Sequence, residues 1–224
     1  MKKSRQMSES FLFASILTLA GGLQDAYSYI CRGKVFVNAQ TGNIVLLAQN
    51  IVEKNFIVAL GYLIPLTAFI LGVALTVFLE DKLRGKKIHW RQGVLLIQMM
   101  ISIGVGCMNS TQHIVANALL SFSCAMQVNA FRSLHGLPYA STMCIGNMRS
   151  GVDMISRYHL TKNGEYREKG LYYFAIILIF GLGALLGAFL SNILYLRSIW
   201  ICTLFYAIAF ALLHRENKNF NIYS

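Results

Sequence analysis

Two long stretches without a charged residue constrain the fold of this chain more than any other feature. Residues 57–79 and residues 93–131 contain no Asp, Glu, Lys or Arg. A helix needs about 20 mostly apolar residues to cross the hydrocarbon core of a bilayer. The first stretch is therefore predicted to be one spanning helix, with Pro65 as a candidate kink. The second stretch has 39 residues and is predicted to be two helices, separated near residues 108–111.

The composition supports a membrane location. Of 224 residues, 56% are hydrophobic and 13% are charged, whereas about 25% are charged in a typical soluble domain. We therefore predict an all-α integral membrane protein with the lipid bilayer as its main partner. The net charge of +11 would suggest nucleic acid on a soluble protein. Here basic residues are better explained as cytosol-facing topology signals, and no nucleic-acid partner is expected.

Reactive side chains show no catalytic or metal-binding pattern. The five cysteines form no C-x-x-C pair, and most lie in apolar runs, which favours packing roles. The histidines have no ligand-like spacing, and we find no nucleotide-binding loop, activated nucleophile or pair of catalytic carboxylates. We expect neither an enzyme nor a cofactor or metal site. The first apolar segment continues to Asp25 without an A-x-A site, which predicts a retained helix rather than a secretory signal.

A polar stretch, residues 35–52, interrupts the apolar sequence between the first two predicted helices. It contains Asn38 and Thr41-Gly42-Asn43, followed by the apolar run Ile44-Val45-Leu46-Leu47. The run is too apolar for a loop, and the amides are too many for a lipid-facing helix. Interrupted backbone at membrane depth persists only where protein or a water-filled cavity surrounds it. We predict a broken or re-entrant helix here.

The same pattern recurs later in the chain. Gly42-Asn43 matches Gly146-Asn147 at an offset of 104, and Asp25-Ala26-Tyr27 matches Asn129-Ala130-Phe131 at the same offset. Phe69, Gly72, Phe78 and Leu79 match Phe180, Gly183, Phe189 and Leu190 at an offset of 111. We predict one membrane domain built from two repeats, about 10–109 and about 112–214. Each repeat consists of a helix, a polar stretch and two further helices, and residues 158–169 form a charged loop in the second.

The distribution of basic residues predicts the topology. If each polar stretch enters and leaves on one side, the chain has six spanning helices, three per repeat. Arg32, Lys34, Lys54 and Arg197 then lie outside, and the other 16 of the 20 basic residues lie inside, as the positive-inside rule favours. Both termini are then cytoplasmic. Three spans per repeat invert the second repeat, an arrangement that many secondary transporters use.

An eight-span alternative stays open. Both polar stretches, 35–52 and 139–157, are long enough to cross a bilayer if barely tilted. The repeats would then be parallel, and no charge bias between the two sides would remain.

The candidate site lies at the two polar stretches. Asp25 is an ionisable group within an apolar segment, which is costly unless it is paired or hydrated and marks a functional candidate. The Gly-Asn pairs predict backbone breaks, and a helix N-terminus there would favour an anion. Structural alternatives are an acid hydrogen-bonded to the break and a turn packed against a neighbour. The predicted substrate- or ion-binding residues are Asp25, Asn38, Thr41, Gly42, Asn43, Asn129, Gly146, Asn147, Arg149 and Asp153.

Two of these residues, Arg149 and Asp153, are four apart and suit a pair on one helical face. Such a pair could be a gate or an ion relay, or alternatively an interfacial salt bridge. Elsewhere, Gly183, Gly187 and Ser191 place small residues on one face of a helix, a pattern typical of close helix packing. A homodimer through this face is possible.

The pattern Gly22-x-x-Asp25-Ala26, then Val35-Phe36-x-Asn38-x-x-Thr41-Gly42-Asn43, with the second Gly146-Asn147, resembles the YoaK-type bacterial membrane proteins. The resemblance covers nearly the whole chain. That family is multi-spanning and of unknown function, so the resemblance implies a location in the bacterial cytoplasmic (inner) membrane and a multi-pass fold but no substrate. Ile145 stands where the first copy has Thr41, so the second copy departs from the pattern.

The function that these features favour is a small-solute transporter or permease with a central polar site, with possible proton coupling through Asp25. The alternative is a non-transporting membrane scaffold or partner subunit, in which the breaks serve assembly alone. An embedded enzyme is a third possibility. A hydrated, ligand-sized cavity at the breaks would favour transport, and tight packing there would favour the scaffold.

Overall fold

The computed structural model describes residues 6–83 and 89–222, with side chains described to residue 215. Residues 84–88, which hold three of the basic residues predicted to lie inside, are outside this range. The described residues form eight α-helices: α1 Phe11–Cys31, α2 Gln40–Val52, α3 Phe56–Leu83, α4 Trp90–Cys107, α5 His113–Ala130, α6 Cys144–Thr161, α7 Gly164–Leu194 and α8 Trp200–Ile222. A small antiparallel hairpin joins α5 to α6, with strands β1 Ser133–Leu134 and β2 Leu137–Pro138. Short 3-10 turns lie at Met7–Glu9 and Tyr195–Ile199.

The chain is therefore helical, as predicted, and its helices are separated between Cys107 and His113, as predicted for the long uncharged stretch. The charged segment 158–169 is not the loop that its composition suggested, because α6 ends at Thr161 and α7 begins at Gly164. Charged side chains of this segment pair along the helix: the ammonium of Lys169 lies 3.8 Å from the carboxylate of Glu165, four residues earlier. Such i,i+4 pairs stabilise exposed helical turns.

Two stretches of the described chain are long and apolar enough to cross a membrane. They are Phe56–Leu83 and the nearly continuous helical segment Gly164–Arg215. Both expose large apolar side chains on the outside of the bundle, including Ile57, Leu71, Leu178 and Leu185. A surface of this kind is compatible with lipid and unfavourable in water.

The long helices run between two ends of the bundle. At the first end, the guanidinium of Arg32, just after α1, donates to the Val105 and Met108 carbonyls at the end of α4, at 2.6 and 3.1 Å. The hydroxyl of Tyr27 donates to the carbonyl of Leu196, just after α7 (3.1 Å). We call this the Arg32 end; α1, α4 and α7 finish there.

The opposite end is defined in the same way. Arg91, in the first turn of α4, donates to the carbonyl of Ala130 at the end of α5 (3.1 Å) and to the hydroxyl of Ser8 (3.1 Å). The Phe11 and Tyr172 rings, near the starts of α1 and α7, pack against each other here with centroids 5.6 Å apart. We call this the Arg91 end. Accordingly, α3, α5 and α8 run from the Arg32 end to the Arg91 end, opposite to α1, α4 and α7.

The helix contacts occur in matching pairs. If α1–α4 are exchanged with α5–α8, the contact of α1 with α7 becomes that of α5 with α3. Likewise α2 with α3 becomes α6 with α7, α1 with α8 becomes α5 with α4, and α4 with α8 maps onto itself. Individual atoms follow the pattern. A side chain at Gly183 would meet the carbonyl of Leu19, and one at Gly72 would meet the carbonyl of Phe122 at 2.5 Å.

The small-residue face of α7 lies inside the bundle rather than on its surface. Gly183, Gly187 and Ser191 are buried. Gly183 and Gly187 pack on the α1 backbone at Leu19 and Leu23, and Ser191 lies within 3.2 Å of the Ser198 hydroxyl. This face stabilises the contact between α1 and α7 and is not free for a second copy of the chain, contrary to the prediction from its spacing.

Candidate functional site

Both polar stretches return to the middle of the bundle before their helices begin. Gly21 lies at the centre of α1, and its carbonyl accepts a hydrogen bond from the side-chain amide of Asn38 (2.9 Å). A side chain at Gly21 would meet the methyl group of Thr142 at 2.7 Å, and the Thr142 hydroxyl lies 3.5 Å from the sulfur of Cys124. The segments before α2 and α6 therefore meet on either side of the same point.

From this point the two short helices diverge. The helix α2 has 13 residues and is followed by α3, which starts at the Arg32 end, whereas α6 has 18 residues and is followed by α7, which starts at the Arg91 end. At 1.5 Å per residue, α2 spans about 20 Å and α6 about 27 Å, against about 30 Å for a bilayer core. We call α2 and α6 the half helices, because the N-terminus of each lies at the centre of the bundle.

The Gly-Asn pairs lie within the first turn of each half helix, because α2 begins at Gln40 and α6 at Cys144. The interruption itself is the loop before them. Neither Gly42 nor Gly146 has a positive φ, and a side chain at either would meet nothing within 4 Å. The prediction that these glycines supply the backbone break is therefore wrong, and neither glycine makes the packing contact of the structural alternative.

The two asparagines hold the loops in the same way. The amide of Asn43 donates to the carbonyl of Phe36 (3.0 Å), seven residues earlier. The amide of Asn147 donates to the carbonyl of Ala140 (2.7 Å), also seven residues earlier. Both asparagines are buried. The offset of 104 is thus reproduced in the hydrogen bonds, and each asparagine fixes the loop that starts its half helix.

Two glutamines, which the sequence analysis did not select, join the centre to the surrounding helices. Gln24 of α1 donates to the carbonyl of Leu120 (2.9 Å) and accepts from the hydroxyl of Tyr206 in α8 (3.1 Å). Gln127 of α5 donates reciprocally to the carbonyl of Leu17 (3.0 Å).

Gln127 also accepts from the amide of Gln98 in α4 (3.3 Å). Each glutamine thus links three helices, and exchanging the repeats converts one set of contacts into the other. Their recurrence in apolar segments at an offset of 103 was a signal that the sequence offered.

Asp25 lies beside the start of α2. Its carboxylate accepts a hydrogen bond from the backbone N–H of Asn38 (3.1 Å), and it is close enough to Cys124 and Cys144 to interact with them electrostatically. Because Cys144 is the first residue of α6, the carboxylate lies near the N-termini of both half helices. Positive ends of helix dipoles stabilise a negative charge.

Asn129 does not take the equivalent position. The reciprocal glutamine contacts relate α1 to α5 by an offset of 103, since Leu17 and Leu120 are separated by the same number of residues as Gln24 and Gln127. At that offset the counterpart of Asp25 is Val128. Asn129 is half-buried near the end of α5 and takes no part in the hydrogen bonds described above.

The remaining predicted residues lie away from this centre or on its surface. Thr41, Gly42 and Gly146 are exposed. Asp153 pairs with Arg157 at 3.0 Å, with both side chains about half exposed, rather than with Arg149, which is also exposed. The predicted pair of Arg149 and Asp153 is wrong because Arg157 lies one turn further along the same face. The observed bridge is a surface interaction.

Arg32 is a buried charged residue that the sequence analysis did not select as a candidate. It was predicted to be an outside loop residue, yet its exposed fraction is 0%. Besides Val105 and Met108, its guanidinium donates to the carbonyl of Asn109 (2.8 Å) and the hydroxyl of Tyr27 (2.8 Å). Carbonyls at a helix C-terminus carry partial negative charge, and a carbonyl oxygen can accept a second hydrogen bond, as those of Val105 and Asn109 do here in addition to their backbone partners. This explains how the arginine is held among them.

The apolar outer surface and the two half helices that begin at the bundle centre define a helical membrane protein. Residues 13–212 match the model of the family described as "Protein of unknown function (DUF1275)", and the chain belongs to this family. It is 28% identical over 198 residues to the UPF0700 transmembrane protein YoaK of Bacillus subtilis (strain 168), a match that covers 84% of this chain and 86% of that protein. The resemblance to YoaK-type proteins is therefore confirmed. No solved structure matches the chain.

Proposed function

We propose that this protein is a small-solute transporter or permease of the bacterial inner membrane, with its polar site where the two half helices begin. The observation that supports the proposal most is the approach of Asn38 and Thr142 to the same residue, Gly21, at the centre of α1. Discontinuous helices that start near the midplane are a recurring way to build transporter sites.

Six spans in two inverted repeats are part of the proposal. The opposite directions of α1 and α5, their reciprocal glutamine contacts and the paired helix contacts support a pseudo-two-fold axis between the repeats. With the excess of basic residues inside, the Arg32 end faces outward, and both termini are cytoplasmic. The half helix α2 then lies in the outer half of the bilayer and α6 in the inner half.

Asp25 is the proposed proton- or cation-binding group. It lies near the N-termini of both half helices, and its carboxylate accepts one hydrogen bond in the described structure, from the backbone N–H of Asn38. Protonation would neutralise the carboxylate and leave the hydrogen bond from the Asn38 side-chain amide to the Gly21 carbonyl in place. The carboxylate can therefore change state while the loop stays in place. Arg149 and Asp153 are assigned to the surface of α6 and not to this site.

Thiol accessibility tests the proposal. Single-cysteine proteins would carry Thr41→Cys or the native Cys144 on a background without other cysteines, and would be treated in membranes with a water-soluble, membrane-impermeant thiol reagent. We expect Thr41→Cys to react from the outside and Cys144 from the inside, because each half helix begins in a hydrated centre. A protein that keeps only Cys202, which is buried in α8, is the unreactive control. Failure of both test positions to react would contradict transport.

One observation favours the alternative of a non-transporting scaffold. The side-chain amides of Asn43 and Asn147 donate to carbonyls of their own loops. The amide of Gln127 donates to the carbonyl of Leu17 and the hydroxyl of Ser141. Buried polar networks with satisfied partners also fix helix positions without binding a ligand. Unreactive cysteines in a correctly inserted protein would favour this function.

A further inference from the structure

A separate cavity of about 270 Å³ lies at the Arg32 end, away from Asp25 and the half-helix starts. Its walls are the first turns of α3 and α5 and the loop that follows α1. Ile57, on the α3 side, is 82% exposed, and Gly61, one turn further, has open space in front of it. The cavity therefore opens between α3 and α5 on the apolar outside of the bundle.

Two polar atoms at this cavity are buried without a partner. Asn117 is 2% exposed, and its amide nitrogen donates to the carbonyl of Arg32 (2.7 Å). Its amide oxygen accepts no hydrogen bond in the described structure, and the same is true of the Nδ1 atom of His113. Both residues line the cavity. A buried amide oxygen without a donor is unfavourable by about 1–3 kcal/mol, so a ligand that offers a hydroxyl or N–H there would be stabilised.

The charges around the cavity indicate which ligand charge is favoured. Arg32 forms part of the wall, and among the described residues that line it none is acidic. Lys34 lies between the lining residues Gly33 and Val35, and Lys54 precedes α3 by two residues; both lysines are exposed. Glu53, next to Lys54, does not line the cavity, and its carboxylate accepts hydrogen bonds from the side chains of Gln49 and Asn55. The N-termini of α3 and α5 also open here, and both favour negative charge. An ammonium donor is therefore disfavoured, and a hydroxyl on an anionic molecule is favoured.

We propose that this cavity binds the headgroup of an anionic, hydroxyl-bearing lipid, phosphatidylglycerol being the matching type. The headgroup hydroxyl donates to the Asn117 amide oxygen. The phosphate lies toward Lys34 and Lys54, and an acyl chain lies along the exposed apolar residues of α3. The same polar chemistry is present in free glycerol phosphate, but the opening beside Ile57 provides an apolar surface that only a lipid uses.

Filling the cavity tests the proposal. Gly61→Leu places a side chain into open space at the cavity and leaves Asn117 and Arg32 unchanged in sequence. Gly181→Leu is the matched control, since Gly181 is another helical glycine with nothing within 4 Å of an added Cβ atom and lies away from the cavity. Each purified protein would be equilibrated with phosphatidylglycerol or phosphatidylethanolamine, and bound lipid would be counted by native mass spectrometry. Wild type and Gly181→Leu are expected to retain phosphatidylglycerol, and Gly61→Leu to retain it about tenfold more weakly, a loss of about 1.4 kcal/mol.

A charge reversal at the rim gives a second readout that does not depend on packing. Lys34→Glu is expected to weaken phosphatidylglycerol binding and to leave phosphatidylethanolamine unaffected, whereas Lys162→Glu, at the opposite end, changes neither. Retention of phosphatidylglycerol by Gly61→Leu at the wild-type level would overturn the proposal. Displacement of the lipid by soluble glycerol phosphate at equal concentration would overturn the lipid assignment and make the site one for a free solute.

Discussion

At the scale of single residues, Arg32 shows how a charge can be buried with no acidic partner among the described residues. A guanidinium has five N–H donors in a fixed geometry, and here they meet carbonyls at and just after the end of α4 and the hydroxyl of Tyr27. The sequence could not predict this, because Arg32 lies next to Gly33 and Lys34 in a segment that has the composition of a surface loop. Only the approach of α4 turns it into a buried residue.

Arg32→Ala is expected to destabilise the protein by at least about 3 kcal/mol, because several carbonyls lose a charged donor and stay buried. Arg32→Lys is expected to recover little of this loss, because one ammonium cannot reach the same set of acceptors. Reversible unfolding in mixed micelles measures both. Arg149→Ala is the control, and we expect a change within about 0.5 kcal/mol, since Arg149 is exposed. Equal stability of Arg32→Ala and wild type would contradict the role of Arg32.

The effect of substituting Gly42 or Gly146 also depends on the conformation and surroundings of the single residue. Since neither has a positive φ and both face open space, Gly42→Ala and Gly146→Ala are expected to stabilise the protein by about 0.5 kcal/mol each, through lower entropy of the unfolded chain. The same unfolding measurement checks this. If a solute approaches the backbone here, either substitution would impair transport while stability rises, whereas a scaffold would lose nothing.

At the scale of elements, the sequence predicted the long helices and their separation at residues 108–111 because apolar length is a local property. It did not predict that residues 158–161 belong to α6 and residues 164–169 to α7. A charged segment has the composition of a loop, but here charged side chains pair with each other along each helix. The small-residue face on α7 was predicted to be a packing surface, but a second copy of the chain was considered as its partner rather than α1. Spacing shows that a helix can approach another closely, and only the fold shows that this helix is α1.

The equivalent contacts of Gly183 with α1 and Gly72 with α5 predict equivalent sensitivity. Gly183→Val and Gly72→Val are each expected to destabilise the protein by more than about 2 kcal/mol, because the added side chain meets the backbone of the facing helix, which cannot move aside. Gly181→Val, two residues from Gly183 but facing open space, is the matched control and is expected to change stability by less than about 1 kcal/mol. A similar loss in all three would indicate an effect of valine in the helix rather than of the contact.

At the scale of the whole molecule, the repeat was the most informative feature of the sequence. Offsets of 104 and 111 predicted two halves, and the matched bonds of Asn43 and Asn147 follow the first of these offsets. The offset of 103 between α1 and α5 was missed, although Gln24 and Gln127 carry it in the sequence. Asp25-Ala26-Tyr27 also matches Asn129-Ala130-Phe131 at 104, and only the contacts decide between the two offsets. The depth at which the half helices begin was also beyond the sequence, since it depends on long-range bonds such as that of Asn38 to Gly21.

The turns that follow the half helices provide the decisive probes of topology. Lys54 follows α2 and Lys162 follows α6, and both are exposed and have positive φ, 59° and 55°. They therefore occupy matching turns at opposite ends of the bundle. On a background without cysteines, Lys54→Cys is expected to react with an impermeant thiol reagent in intact cells, and Lys162→Cys only after the membrane is opened.

Because the two positions share the same local conformation, a difference in labelling reports the side of the membrane and not the reactivity of the turn. Labelling of both from outside would require α2 and α6 to end on the same side. The repeats would then be parallel, the excess of basic residues would no longer mark the cytoplasm, and a pathway with one half helix facing each side would not exist. Opposite sides would place α2 in the outer half of the bilayer and α6 in the inner half, with Asp25 between their N-termini.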